Sequence, residues 1–310
     1  MIYDTKLLTA YSLLLVVGSF ILLISSSNFP IAFATHLEIN TTKLTENMYV
    51  IHGSGGNVIL SIGNGGLILV DDQYAPVTEK MMSLIANITN KPIKFVINTH
   101  WHPDHVGGNE RLGEAGAVIV SHENVRKRLN HDQFFGMINQ TIPALSKKGL
   151  PIITFSDNMT FYQNNDEIRI SYLDNGHTDG DSVVYFTRNN VIHVGDDFSD
   201  KAYPFMDLST GGSIDGLIFS LKSIISMINN DTKVVAGHSG ISNQTIVKDY
   251  VNMLIDVRSL ISNMIKEGKS LDEIIQSKPT AQYDTTYRDY SFIKPKDFVT
   301  NIYESLKSSQ

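Results

Sequence analysis

Cysteine is absent from the 310 residues of the chain. No disulfide can therefore stabilise the fold, and no thiolate can serve as a metal ligand. A chain of this kind must rely on its hydrophobic core and on any metal that it binds. With 42% hydrophobic residues, it is long enough to bury a large core, either as one domain or as two closely packed halves.

Positive charge is also in short supply. The 25 Lys and Arg residues are outnumbered by 32 Asp and Glu, which gives a net charge of −7. Proteins that bind nucleic acids normally carry a basic surface, so this balance argues against a nucleic acid partner and against polyanionic substrates. We expect a small-molecule substrate instead.

Residues 1–34 differ in composition from the rest of the chain. Lys6 precedes an apolar run over residues 7–24, and a polar stretch then leads to the small residues Ala32 and Ala34. This order is typical of a signal peptide. The apolar run also approaches the length that spans a bilayer, so residues 7–24 fit membrane attachment as well. Either interpretation predicts an extracytoplasmic protein, secreted or anchored to the outer face of the cell membrane.

Strands and helices are predicted to alternate through the first half of the chain. Three runs of strand length are separated by Gly, Asn and Ser, at residues 48–51, 57–62 and 67–70. They predict an antiparallel meander. Helices and strands then follow one another, which favours stacked α/β layers. The polar residues 121–150 predict a mainly helical insertion over an active site.

The last 70 residues are predicted to be mainly helical, with a clear amphipathic stretch that Gly268 closes. We therefore assign residues 36–270 to one domain and residues 271–310 to a C-terminal helical extension. The final helices either cover the core or pair with a second chain, so the sequence leaves the oligomeric state open.

The segment "NTHWHPDHVGGNE", residues 98–110, concentrates potential metal ligands. His100 and His102 are two residues apart after the strand-like "KFVIN", so extended geometry points both side chains to the same side. Pro103 bars a regular helix through that point and favours a tight loop. Such a loop would turn Asp104 and His105 onto an adjacent position. The segment predicts a metal site.

Three further candidates each follow an apolar strand of their own: His177, Asp196 and His238. In α/β sheets, ligands gather beyond the carboxyl ends of the strands. A single histidine in such a position is usually structural. Together, however, five imidazoles and two carboxylates at one sheet edge would be costly to bury without a cation to satisfy them.

These motifs resemble those of the metallo-β-lactamase superfamily. The resemblance rests on "HWHPDHVGGN", "GHTDGD" and "AGH", in that order over roughly residues 40–240. It implies an α+β fold, a four-layer αββα sandwich with a metal centre at one edge. It is specific for the superfamily and much less specific for the substrate.

The resemblance also implies how the ligands divide. His100, His102 and His177 would hold a first zinc ion, Asp104, His105 and His238 a second, and Asp196 would bridge the pair. Two Zn²⁺ per chain suit an imidazole-rich set, and iron or manganese fits the same frame. One departure matters, because β-lactamases of the first subclass carry cysteine where this chain has Asp196.

The implied activity is hydrolysis of an amide, lactam or ester-like bond by a hydroxide that two metal ions share. Asp104 is the candidate catalytic residue, since it would orient the hydroxide and pass its proton to the leaving group. Two alternatives stay open within the same fold. The first is a lactonase or a glyoxalase II-like thioesterase, and the second is a mononuclear iron dioxygenase of the persulfide type.

Residues outside the ligand set are also candidates for the site. Tyr203 and Phe205 follow Asp196 in a loop suited to lining the substrate side, and His122 begins a polar helix near the pocket. Five further residues would support the ligands by hydrogen bonding: Asp71, Asp72, Thr99, Thr178 and Asp181. Three other histidines are predicted to be structural: His52, His131 and His193.

Overall fold

A computed structural model describes residues 38–289 and 293–308. The predicted signal peptide or anchor, residues 1–34, lies outside the described residues. Within the described ranges, no helix combines the length and the apolar character needed to cross a membrane.

The strands, in chain order, are β1 Asn40–Lys43, β2 Met48–His52, β3 Val58–Gly63, β4 Gly66–Val70, β5 Ile93–Ile97, β6 Val118–His122, β7 Gln133–Phe135, β8 Gln140–Ile142, β9 Ile153–Phe155, β10 Asn158–Gln163, β11 Asp166–Tyr172, β12 Ser182–Phe186, β13 Val191–His193, β14 Lys233–Val235 and β15 Ile241–Ser242. The α-helices are α1 Thr78–Ile88, α2 Pro103–Val106, α3 Asn109–Glu114, α4 Glu123–Leu129, α5 Ile214–Met227, α6 Gln244–Lys266, α7 Leu271–Gln276 and α8 Pro295–Ser308.

Two mixed sheets contain most of the strands. The first has the order β1-β2-β3-β4-β5-β6-β9, antiparallel from β1 to β4 and parallel from β4 onward. The predicted meander is therefore confirmed. The second sheet has the order β10-β11-β12-β13-β14-β15, and its only parallel pair among the described strands is β13 with β14.

The side chains along the strands of the first sheet point alternately into two different hydrophobic cores. In β4, Leu67 and Leu69 face a core that they share with Met81 of α1, whereas Ile68 and Val70 face the second sheet. Successive side chains of a strand point to opposite faces, so a strand between two layers must be apolar throughout. This explains the uninterrupted run "GLILV".

The outer face of the second sheet is covered by helices. Ile192 and Val234 of this sheet pack in one core with Leu221 of α5, Leu254 of α6 and Phe298 of α8. With α1 and α3 on the other side, the order of layers is helix, sheet, sheet, helix. The predicted αββα sandwich is confirmed. The predicted extension, residues 271–310, contributes α7 and α8 to this core.

Two local predictions were wrong. Pro103 does not prevent a helix, because it occupies the first turn of α2, where its missing N–H costs nothing. The insertion is also less helical than expected. After α4 it forms the hairpin β7–β8, and Phe135 at the end of β7 is buried beside Trp101. A cluster of apolar side chains beneath the hairpin thus decides its conformation.

Asp72, directly after β4, is fully buried. Its Oδ1 accepts the N–H of Gly108 at 2.8 Å, while Oδ2 has no hydrogen-bond partner in the part of the chain that the structure describes. Burial, followed by the charge of Asp71, raises the pKa of Asp72 well above its usual value. The native state therefore favours the protonated acid. That stabilisation is complete below the unfolded pKa of about 3.9 and is lost as the pH rises through the folded pKa.

Asp72→Asn should remove this pH dependence, because the amide keeps an acceptor for Gly108 and never ionises. We expect the variant's free energy of unfolding to exceed that of the wild type by about 1–2 kcal/mol at pH 7, and the difference to shrink toward pH 4. Urea unfolding at several pH values measures it. The control is Asp157→Asn at an exposed position. A difference that grows toward acidic pH would contradict this account.

Candidate metal centre

The segment with the highest density of ligands lies between β5 and α3. β5 ends at Ile97, and the chain then bends over residues 99–101 to His102, whose carbonyl accepts the N–H of His105 at 3.0 Å. This hydrogen bond closes the first turn of α2. The turn places Asp104 and His105 beside the two preceding histidines, as predicted from the sequence.

All seven predicted ligands come together at the edge of the two sheets. Their donor atoms form three overlapping sets, within each of which all atoms lie within 4.8 Å of one another: His100, His102 and His177; His100, His105 and Asp196; Asp104, His105 and His238. The first and third of these match the two halves implied by the motif resemblance, and they are called the first set and the second set below. Their role as metal ligands stays a prediction.

His102 and His177 each point an unprotonated ring nitrogen at the other ring. Asp207 Oδ2 lies 3.1 Å from His102 Nε2, and the Phe205 carbonyl oxygen lies 2.7 Å from His177 Nδ1. Both oxygens accept, so these ring nitrogens must donate. The opposite nitrogens, His102 Nδ1 and His177 Nε2, are only 2.9 Å apart and carry lone pairs when the rings are neutral. Two facing lone pairs require a cation or a shared proton between them.

His100 is oriented in the same way. The Thr99 hydroxyl donates to Asp71 Oδ2 at 2.8 Å, so it accepts from His100 Nδ1 at 3.0 Å. His100 Nε2 is then left as a lone pair, buried and without a hydrogen-bond partner among residues 38–289 and 293–308. A buried, unsatisfied acceptor is costly unless something binds to it. The first set therefore fits a cation.

The second set is built around His105. Its Nδ1 lies 2.7 Å from Asp71 Oδ2, and its Nε2 lies 3.6 Å from Asp104 Oδ2 and 3.3 Å from His238 Nε2. The His238 Nε2 atom is in turn 2.9 Å from Asp104 Oδ2. One carboxylate and two imidazoles thus face a common point.

Asp196 lies between the two sets. Its Oδ2 is 3.9 Å from His100 Nε2 and 3.7 Å from His177 Nε2. The same carboxylate is 3.4 Å from His105 Nε2 through Oδ1 and 3.4 Å from His238 Nε2 through Oδ2. A single carboxylate that reaches donors of both sets is placed to serve two cations.

The electrostatics of the two sets differ. Burial and the neighbouring imidazole His105 lower the pKa of His100, and burial also lowers that of His102. These rings stay neutral and keep their lone pairs. Burial lowers the pKa of His238 too, but Asp196 and Asp104 outweigh it and raise the value to about 10. The carboxylates thus create a strong local preference for positive charge, which metal ions would satisfy.

Two glycines allow the loops to approach this closely. A β-carbon on Gly237 would overlap Asp196 Oδ1, and one on Gly56 would overlap the His105 ring. Glycine is therefore the only residue that fits at either position without displacing a predicted ligand.

The predicted supporting residues lie around the ligands. Asp71 and Thr99 hold His105 and His100 as described, and Asp181 accepts the backbone N–H of Thr178 at 2.8 Å, directly after His177. Asp197, which sequence reasoning missed, accepts the N–H of His177 at 3.2 Å.

The predicted substrate contacts require correction. Phe205 lies beside the site, with its ring centroid 6.0 Å from that of His177. Tyr203 is instead buried in the helical core, where it stacks on Phe298 and its hydroxyl donates to Asp284. His122 accepts a hydrogen bond at the start of α4 and stacks on Tyr172. Of these three residues, the structure thus places Phe205 beside the predicted ligands and Tyr203 in the core.

The histidines predicted to be structural belong to none of the three donor sets. His52 pairs with Asn57, His131 with the Lys127 carbonyl, and His193 with the Asn57 carbonyl. By contrast, the sequence did not single out Asp207, which orients His102, or Phe135, whose ring stacks on His102 at 4.4 Å. Neither residue belongs to a recognisable motif.

Comparisons with known proteins agree with this geometry. A family model described as the metallo-beta-lactamase superfamily matches residues 44–238. The type 2 metallo-beta-lactamase of Bacteroides fragilis is 22% identical over 237 residues, covering 72% of this chain and 89% of that protein. The hydroxyacylglutathione hydrolase of Pelagibacter ubique is 26% identical over 153 residues, covering 48% of this chain and 53% of that enzyme.

A solved structure shows the same fold. The metallo-beta-lactamase from Pontibacter korlensis superimposes with a TM-score of 0.59 at 19% identity, covering 71% of this chain and all of that one.

Asp207→Asn should weaken metal binding, because the amide accepts from His102 Nε2 less strongly than the carboxylate does. We expect a loss of about tenfold to a hundredfold in zinc affinity. Competition with a chromophoric chelator measures it, and the exposed Asp231→Asn is the control. Equal zinc affinity in all three proteins would show that Asp207 does not support a metal ligand.

Proposed function

The chain belongs to the metallo-β-lactamase superfamily and is a metal-dependent hydrolase, and we propose that it uses two zinc ions to open an amide, lactam or ester-like bond in a small molecule. The position of Asp196 carries this proposal. Its carboxylate lies within 4 Å of donor nitrogens from both sets, which is the arrangement that a two-metal site requires.

The donor chemistry supports zinc. Five imidazoles and two carboxylates, with no thiolate, form a set that zinc accepts readily. His100, His102 and His177 would hold one ion, Asp104, His105 and His238 the other, and Asp196 would lie between them. When bound, the ions would supply a nucleophile from water at neutral pH and polarise the substrate carbonyl.

The substrate would approach from the side of the second set. Side-chain exposure is 1% for His100, 0% for His105 and 4% for His177, but 11% for Asp104, 16% for Asp196 and 18% for His238. The first three are sealed behind the loops that hold them. A carbonyl group would therefore meet the centre where Asp104, Asp196 and His238 are partly open.

Asp104 is placed to transfer the proton. Burial alone would raise its pKa, but His105 and His238 outweigh burial and hold it at about 2, so the group is a carboxylate at neutral pH. From the open side, this carboxylate would accept a proton from the attacking water and deliver it to the leaving nitrogen, oxygen or sulfur.

A lactonase or a thioesterase is the second candidate for the substrate class. Two observations favour it: the chain has Asp196 where first-subclass β-lactamases have cysteine, and part of it is similar to a hydroxyacylglutathione hydrolase. A mononuclear iron dioxygenase would use the first donor set together with Asp196, and it would leave Asp104 and His238 without a cation.

We also propose that the enzyme works outside the cytoplasm. The support for this location is the order of charged, apolar and small residues in positions 1–34.

Elemental analysis tests the metal. The purified protein, loaded with zinc and then dialysed, should retain close to two zinc ions per chain, and Asp196→Ala should retain at most one because it removes the shared carboxylate. Asp200→Ala, a partly exposed aspartate four residues on, should behave as the wild type. One iron ion per chain with no zinc in the protein as purified, before any zinc is added, would instead favour the oxygenase.

A substrate panel tests the reaction and the role of Asp104. Wild type should hydrolyse at least one of nitrocefin, an acyl-homoserine lactone and a thioester. On that substrate, Asp104→Asn should lower kcat by about 10²–10⁴, since the amide cannot accept the proton. Circular dichroism should be unchanged, and kcat is compared at saturating zinc because Asp104 is also a predicted metal ligand. Full turnover by the variant would remove Asp104 from the chemistry.

A further inference from the structure

The hairpin β7–β8 lies against the segment that carries the first two predicted ligands. Successive side chains of a strand point to opposite faces, so the two phenylalanines of β7 lie on different sides of the hairpin. Phe134 is 55% exposed, whereas Phe135 is 6% exposed and packs in one apolar cluster with Trp101. The hairpin therefore buries Phe135 against the ligand segment and leaves Phe134 in contact with solvent.

Two hydrogen bonds fix the base of the hairpin. The N–H of Leu145 donates to the carbonyl of Leu129, the last residue of α4, at 2.9 Å. The N–H of Ala144 donates to Oδ1 of Asp132 at 2.9 Å, which joins the two ends of the hairpin directly. With its base tied to α4 and its inner face in the apolar cluster, the hairpin holds Phe135 in a defined position.

The Phe135 ring lies nearly flat on the imidazole of His102. The two ring centroids are 4.4 Å apart, and the ring planes differ by 26°. Three other rings meet this imidazole at steep angles of 65° to 88°, namely those of His100, Trp101 and His177. Within residues 38–289 and 293–308, Phe135 is thus the one aromatic residue that stacks on a face of His102. Asp207 holds the edge of the same imidazole at Nε2, as described above.

A stacked ring has more effect on an imidazole that binds a cation than on a free one. A metal-bound imidazole carries part of the positive charge of the ion, and the face of a phenyl ring is negative. Phe135 would therefore stabilise the loaded form of His102 more than the unloaded form. The phenyl ring also occupies the space from which water would reach this face of the imidazole.

We propose that Phe135 is a positioning residue of the metal centre: it fixes the plane of the His102 ring and so strengthens the binding of a cation by the first set. This inference rests on the part of the proposed function that assigns a metal ion to the first set. The hydrolase and the iron oxygenase both use that set, so the role of Phe135 is the same in either enzyme.

Phe135→Leu keeps an apolar side chain and removes the flat ring. We expect the zinc affinity of the protein to fall about threefold to tenfold, as loss of one aromatic stack predicts. Competition with a chromophoric chelator measures it. The matched control is Phe134→Leu, which changes the neighbouring, exposed ring and should leave zinc affinity unchanged. If circular dichroism shows that Phe135→Leu is poorly folded, Phe135→Met takes its place, since it fills the space without a flat ring.

A double-mutant cycle distinguishes positioning of His102 from general destabilisation. Asp207→Asn weakens a second contact of the same imidazole, so the ring is already less fixed once either contact is changed. Phe135→Leu combined with Asp207→Asn should therefore lower zinc affinity by clearly less than the product of the two single effects. Phe135→Leu combined with the exposed Asp231→Asn is the control, and its two effects should simply multiply.

The outcomes separate the role of Phe135 from the proposed reaction. If the wild type hydrolyses nothing on the panel while Phe135→Leu lowers zinc affinity and the cycle with Asp207→Asn is not multiplicative, the proposed reaction fails and the role of Phe135 stands. If the wild type is active and Phe135→Leu binds zinc as tightly, the inference about Phe135 is overturned. Effects that multiply fully in the cycle would also overturn it, because Phe135 would then not act through His102.

Discussion

The buried carboxylate of Asp71 organises both halves of the metal centre. It accepts the backbone N–H of Thr99 at 2.7 Å, the Thr99 hydroxyl at 2.8 Å and Nδ1 of His105 at 2.7 Å. Through Thr99 it fixes the ring of His100, and directly it fixes that of His105, one histidine from each half. A charged group removed from water must be compensated on all sides, and these donors compensate it. The same contacts therefore compensate the buried carboxylate and orient the two imidazole rings.

The sandwich explains why this can happen at one edge. Strands β4 and β5 are parallel neighbours in the first sheet, so Asp71 and Thr99 emerge side by side. In the second sheet, β13 and β14 are likewise parallel, and the residues after them supply Asp196 and His238. The packed faces of the two sheets share an apolar core, which brings the two groups of loops together. The site is thus a consequence of strand direction combined with the position of each ligand in its loop.

The sequence identified those candidate ligands that stand in a recognisable local pattern. His177, Asp196 and His238 each follow an apolar run, and the density of histidines at residues 100–105 is visible without a structure. Contacts that depend on the packing of distant segments were missed. Asp207 meets His102 across 105 positions, and the backbone of residues 73–75 approaches the turn at Asp104 closely because Gly55 and Gly107 have no side chains. The prediction that Tyr203 lines the substrate side was wrong, because its ring packs into the helical core beside the loop.

The opposite electrostatic character of the two halves has a consequence for assembly of the holoenzyme. The carboxylates around His105 and His238 raise the pKa of both imidazoles, so without metal those rings carry protons. These protons compensate the carboxylates of Asp104 and Asp196 that face the two rings. Metal uptake in that half would consequently be an ion exchange, in which an entering cation displaces protons from the two imidazoles. Its driving force would then depend on the acidity of the surroundings in which the protein matures.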